Sequence, residues 1–255
     1  MNPAQSLRAC VSKSHRCGGV TLLEVLVTIA VIIILAAILV PALARSRDAA
    51  RLAQCVDNLR QLGLATQLYW DDNEDRAFPY LLGSVNGGKR YWFGWLKPGA
   101  EGERDFDPRL GLLYPYLQGE GVEICPSLDY RSTLYKLKAR GAAFGYGYNL
   151  HLAEAPVQMA SVLCPTEAVL MADAAQVNDF QAPASPERPM LEEFYYVNAD
   201  DGTGYPNAHF RHHQLANVLF CDGHVDREKP VPGSLDLRLP DQYVGRLRAE
   251  ILRVP

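Results

Sequence analysis

The run Arg16-Cys17-Gly18-Gly19-Val20-Thr21-Leu22-Leu23-Glu24, continued by apolar residues to Val40, decides how the rest of the chain is read. From Val20 to Val40 only Thr21, Glu24 and Thr28 interrupt the apolar side chains. As a helix the segment is about 30 Å long, the thickness of a hydrocarbon core. The residues before Val20 include Arg8, Lys13 and Arg16 and no acid. By the positive-inside rule the N-terminus stays in the cytoplasm and everything after Arg45 faces outward. Thr21 and Glu24 have the spacing of a capping box, in which each side chain satisfies a free N–H at the helix start.

Beyond Pro41 the pattern becomes amphipathic: Leu52, Cys55/Val56, Leu59, Leu62/Gly63, Thr66 and Tyr69/Trp70 recur at three and four, with charges on the other faces. This predicts one helix from Thr21 to Tyr69, ended by Asp71-Asp72-Asn73-Glu74-Asp75. A hydrophobic share of 48% then requires a packed body. Tyr91-Trp-Phe-Gly-Trp95 reads as a core strand, Phe144-Gly-Tyr-Gly-Tyr-Asn149 as a strand with close backbone approach, and Ala168 to Ala172 as a buried strand ending at Asp173. The fold class is α+β: a long N-terminal helix, half membrane-spanning and half amphipathic, packed on a C-terminal antiparallel sheet domain with long loops.

The net charge is −4, and loss of the three cations before Val20 takes it to −7, which argues against a nucleic-acid partner. Cys55, Cys125, Cys164 and Cys221 lie after the apolar run and allow three pairings. Cys125 and Cys164, each followed by Pro, look like strand-end positions and are the expected pair.

Near the C-terminus, Asp222-Gly223 sits between two apolar runs and signals a hairpin whose turn residues take positive φ. His212 and Asp222 are expected to hydrogen-bond beside it and fix the turn. His209, His212, His213, Asp222 and His224 are ligand types for a transition metal, although their spacing matches no zinc signature. Asn198, Asp200 and Asp201, with Gly202, form an oxygen-rich loop. No Ser-His-Asp spacing, phosphate loop or catalytic carboxylate pair appears, so an enzyme is not expected.

Gly18-Gly19, then Val20-Thr21-Leu22-Leu23-Glu24, and Pro41 within the helix resemble the prepilin peptidase site of type IV pilins and type II secretion pseudopilins, with Val20 where that family usually has Phe. His212, nine residues, then Asp222-Gly223 is similar to the His-x9-Asp-Gly class of prepilin-type proteins, as are Asn58-Leu-Arg-Gln61-Leu-Gly, Cys125-Pro-Ser and Tyr148-Asn149. The resemblance implies a leader over 1–19, an assembly and membrane half over 20–40, an amphipathic half over 41–72 and a pilin-like domain over 73–255. It implies cleavage by prepilin peptidase between Gly19 and Val20, N-methylation, and a filament in which Glu24 pairs with a Val20 amino group. Its partners are then like subunits, the peptidase, an inner-membrane assembly platform and the membrane. The chain would sit single-pass in the inner membrane with a periplasmic domain, and would join a periplasmic or extracellular filament on assembly. No cofactor is expected; Ca2+ at Asn198, Asp200 and Asp201 is a candidate by analogy with major pseudopilins.

Two other readings compete. Ala42-Leu43-Ala44 resembles a signal-peptidase site, which gives a secreted or anchored domain without assembly. Alternatively, the chain is an anchored envelope domain whose His/Asp cluster binds metal or hydrolyses a substrate.

Overall fold

A computed structural model describes residues 21–117, 122, 124–141, 144–153, 157–199 and 204–254. By its contacts the chain forms two compact units, Met1–Arg47 and Asp48–Pro255. Helix α1 runs from Leu22 to Asp72 with Pro41 inside it. It starts as a capping box: the Thr21 N–H donates to Glu24 Oε2 at 2.8 Å, and the Glu24 N–H to Thr21 Oγ1 at 3.3 Å. All described residues of the first unit are exposed, among them Leu22, Ile33 and Val40.

The second unit carries the sheets. Strands β1 (Leu81–Val85), β2 (Gly88–Tyr91), β3 (Gly94–Leu96) and β4 (Phe106–Asp107) form an antiparallel meander. Then come β5 (Tyr135–Lys136), β6 (Tyr146–Asn149), helix α2 (Leu150–Ala153), β7 (Val169–Asp173), β8 (Ala175–Asn178), β9 (Met190–Glu193) and β10 (Tyr196–Val197). The last elements are β11 (Ala208–His209), β12 (Ala216–Phe220), β13 (Val225–Glu228), β14 (Val244–Gly245) and α3 (Ala249–Leu252). The central sheet has the order β10-β6-β7-β12-β13. The pairings are mostly antiparallel, but β10 with β6 and β5 with β9 are parallel, so the sheets are partly mixed rather than antiparallel throughout.

The second half of α1 buries Cys55, Asn58, Leu59, Leu62, Gly63, Ala65, Thr66 and Trp70, the three-and-four spacing expected of one apolar face. Its core includes Leu219, while Val218 and Phe220 join a second cluster with Phe210 and Ile251 on the other face of β12. Alternation along a strand produces that division. A Cβ on Gly63 would lie 3.1 Å from Leu219 Cδ1, so the missing side chain is what lets helix and sheet approach.

Tyr91 to Trp95 is not one strand. Tyr91 pairs with Gly94, so Trp92 and Phe93 form the turn of the β2–β3 hairpin. That turn points inward: Trp92 Nε1 donates to Tyr195 O at 3.1 Å, and Phe93 stacks on Tyr195 with ring centres 3.7 Å apart. Apolar burial overrides the usual preference for polar turn residues.

Candidate functional site

Two regions carry the residues singled out above. The first is the start of α1. Gly18, Gly19 and Val20, like Cys10 and Cys17, lie outside the described residues. Glu24 is described, and both its oxygen contacts are to Thr21 of its own turn. Among the described residues one helix, α1, is long and apolar enough to cross a membrane, by length and composition.

The second region gathers around Asp173, the fully buried last residue of β7. Its Oδ1 accepts from Arg211 Nη2 at 2.6 Å, and its Oδ2 accepts from the Asn217 N–H at 2.8 Å. His212 Nε2 lies 3.3 Å from the same Oδ2. Arg211 also donates through Nε to Cys125 Sγ at 3.3 Å and through Nη2 to Gly145 O at 2.6 Å. Gly145 has φ of +75°, and a Cβ there would meet the guanidinium at 3.1 Å. The alternation of glycine and aromatics at 144–149 thus records a real close approach. His209, wholly buried beside Arg211, is held well below the usual imidazole range, first by burial and then by that cation.

The disulfide here joins Cys55 to Cys125, which corrects the expected Cys125–Cys164 pair. Cys164 is exposed in the turn before β7, whereas Cys55 lies on the buried face of α1. Cys125-Pro126 does occupy a turn, closed by the Leu128 N–H on Cys125 O at 2.9 Å. Cys221 is a free buried thiol whose pKa is pushed up to about 12, by burial and then by Asp222.

The His212–Asp222 hydrogen bond is not formed. His212-His213-Gln214-Leu215 is itself a tight turn, with His213 and Gln214 both at positive φ and the Leu215 N–H on His212 O at 3.2 Å. That turn buries His212 and exposes His213. Asp222 belongs to the turn at the other end of β12, so the nine-residue spacing is a strand length that separates the two by about 20 Å. Asp222 pairs instead with His224, 2.5 Å from its Nδ1. Burial resists ionisation of Asp222, but these hydrogen bonds hold its carboxyl below the usual range. Only Gly223 of the Asp-Gly pair has positive φ. The Gly223 N–H donates to Phe220 O and the Phe220 N–H to His224 O, a three-residue loop in place of the two-residue one expected.

Among the described residues, the potential ligand atoms that converge are Cys55 Sγ, Cys125 Sγ and His212 Nε2, within 4.8 Å of one another. His209 and His224 stand outside that group, so the five C-terminal residues do not form one metal centre. Asn198 Oδ1 accepts from Asn207 at 2.6 Å, while Asp200 and Asp201 lie outside the described residues. Sequence reasoning missed Asp173, Arg211 and Cys55 as members of the site. The signals were a carboxylate ending an apolar strand, an arginine between two histidines, and a cysteine on the apolar helix face.

The remaining landmarks are ties between elements. Asn58 Nδ2 donates to Tyr146 OH at 2.9 Å across the helix–sheet contact. Asn149 Nδ2 donates to Val169 O and Leu252 O, joining β6, β7 and α3.

The family described as "Protein of unknown function (DUF1559)" matches residues 44–209, more than half of the chain. This is a DUF1559 protein. Residues 14–40 of the DUF1559 chain match the prokaryotic N-terminal methylation motif, a prepilin-type motif consistent with a type IV pilin-like protein. The DUF1559 match takes in Cys55, Cys125, Asp173 and His209 and stops before Arg211 and His212. No curated protein and no solved structure matches the chain.

Proposed function

We propose that the chain is a structural subunit, inserted in the inner membrane through the first half of α1, cleaved between Gly19 and Val20, methylated on the Val20 amine and assembled into a pilus or pseudopilus. The observation that carries the reading is the methylation motif at residues 14–40, ending in a helix segment with every described side chain exposed. Such a surface needs lipid or other helices around it. A bundle of like helices supplies the same apolar contact as a bilayer and adds a cation for Glu24, whose burial in hydrocarbon costs about 3 kcal/mol. In this reading the domain from Asp48 onward stands in the periplasm, and the chain's partners are like subunits, the peptidase, the assembly platform and the membrane. Its role is structural rather than enzymatic.

The test is Glu24→Ala in the native cell. Cleavage should proceed as in wild type while filament yield falls at least tenfold. Unchanged filament yield overturns the assembly role of Glu24.

A further inference from the structure

We infer that Cys55, Cys125, His212 and Asp173 form a zinc site when the Cys55–Cys125 bond is reduced, so that the same pocket holds either a disulfide or a metal ion. This is independent of the filament reading, and either can fail alone.

The geometry comes first. Tetrahedral zinc, with Zn–S of about 2.3 Å and Zn–N or Zn–O of about 2.0 Å, sets S–N edges of about 3.5 Å and N–O edges of about 3.3 Å. Here Cys125 Sγ lies 3.7 Å from His212 Nε2, and His212 Nε2 lies 3.3 Å from Asp173 Oδ2. Three of the four donors already converge within 4.8 Å, and the fourth touches the imidazole. The bonded sulfurs are not ligands; cleavage of the S–S bond makes them so.

The surroundings are those of a metal site. Asp173 is oriented by the Asn217 N–H and by Arg211, and Arg211 Nε–H already points at the Cys125 sulfur, where a thiolate would accept it. Charge closes as well: two thiolates and the Asp173 carboxylate balance Zn2+ and the Arg211 guanidinium around a neutral imidazole. The buried Asn217 amide has no hydrogen-bond partner on either Oδ1 or Nδ2. It lies on the β12 face shared with Leu219, toward α1, so the polar interior is under-satisfied next to the cluster. An entry path exists too. A cavity of about 220 Å³ has Asp48, Arg51, Leu52, Ser127, Arg211 and His212 in its lining and so opens beside the cluster.

The exchange balances. A dithiol reductant gives two electrons and two protons to Cys55–Cys125 and leaves as its own disulfide. Zinc then displaces the two thiol protons, and reoxidation by a disulfide-class oxidant releases the ion.

The experiment uses the full chain, untagged and in detergent micelles, with Cys10, Cys17, Cys164 and Cys221 changed to Ser. It is reduced with a phosphine and titrated with Co2+, then with Zn2+ against a chelating indicator. The expected result is one ion per chain, only after reduction, with tetrahedral cobalt bands and a thiolate charge-transfer band. His212→Ala and Asp173→Asn should each weaken zinc binding by at least about tenfold, the scale of losses at metal-site positions. Cys125→Ser should remove the charge-transfer band. No binding by the reduced chain, a six-coordinate cobalt spectrum, or equal affinity in His212→Ala overturns the inference. Should reduction unfold the domain by circular dichroism, zinc must restore the native spectrum; failure to do so also overturns it.

Discussion

The two halves of α1 are one helix with opposite fates. From Leu22 to Arg47 no residue is buried; from Cys55 to Trp70 eight are, and one of them is covalently tied to the body of the domain. Secondary structure is the same in both, so the difference lies in the pattern. An apolar residue on every face calls for a surrounding apolar medium, whereas an apolar stripe calls for a single partner. Stability of the domain should therefore respond only to the second half, and membrane behaviour only to the first.

The largest effect expected from that contrast comes from one substitution made twice. Leu59→Asp places an unpaired carboxylate at a fully buried position and should abolish cooperative folding, a cost above about 4 kcal/mol. Ile33→Asp should leave the domain's thermal transition unchanged and reduce membrane insertion, by about 3 kcal/mol. Circular dichroism melts and carbonate extraction of membranes read the two outcomes. Equal loss of folding in both variants would break the comparison.

Next comes the disulfide, which closes a loop of 70 residues. Cys55→Ser with Cys125→Ser should cost about 4 kcal/mol by denaturant unfolding, on the chain-entropy account. A cost below 1 kcal/mol would mean that helix packing alone holds the second half in place.

Glu193 sharpens the contrast through pH. Burial raises its carboxyl to about 8, against the opposing pull of the Tyr195 hydroxyl and Lys138. A folded pKa above the unfolded one means that the native state holds a proton which the unfolded chain releases. Stability is therefore fully present below about pH 4.5 and is lost as pH rises toward 8, by at most about 1.4 kcal/mol per unit. The melting temperature should fall between pH 6 and pH 8, and Glu193→Gln should flatten that slope. The smallest effect is steric: Gly63→Val should cost about 2 kcal/mol through Leu219, while Ala36→Val should leave the domain's stability unchanged.

The sequence displays periodicity, so both halves of α1 and the β7 and β12 strands could be read from it. Spacing along a chain does not reveal which ends of a strand two residues occupy. For that reason His212 and Asp222, with nine residues between them, looked like partners and sit at opposite ends of β12. The Cys55–Cys125 bond was hidden by a related limit, since a cysteine on a helix face meets its partner only through long-range packing. Asp173 and Arg211 are legible only once β7 and the His212 turn are adjacent in space. By contrast, Thr21 and Glu24 were fully legible, because a capping box is local.

Processing of residues 14–40 as a prepilin segment is read most directly at the N-terminus of the mature chain. Mass spectrometry of the protein from native membranes should find a chain that begins at Val20 and carries one added methyl group. A chain that begins at Met1 or at Arg45 would contradict the account.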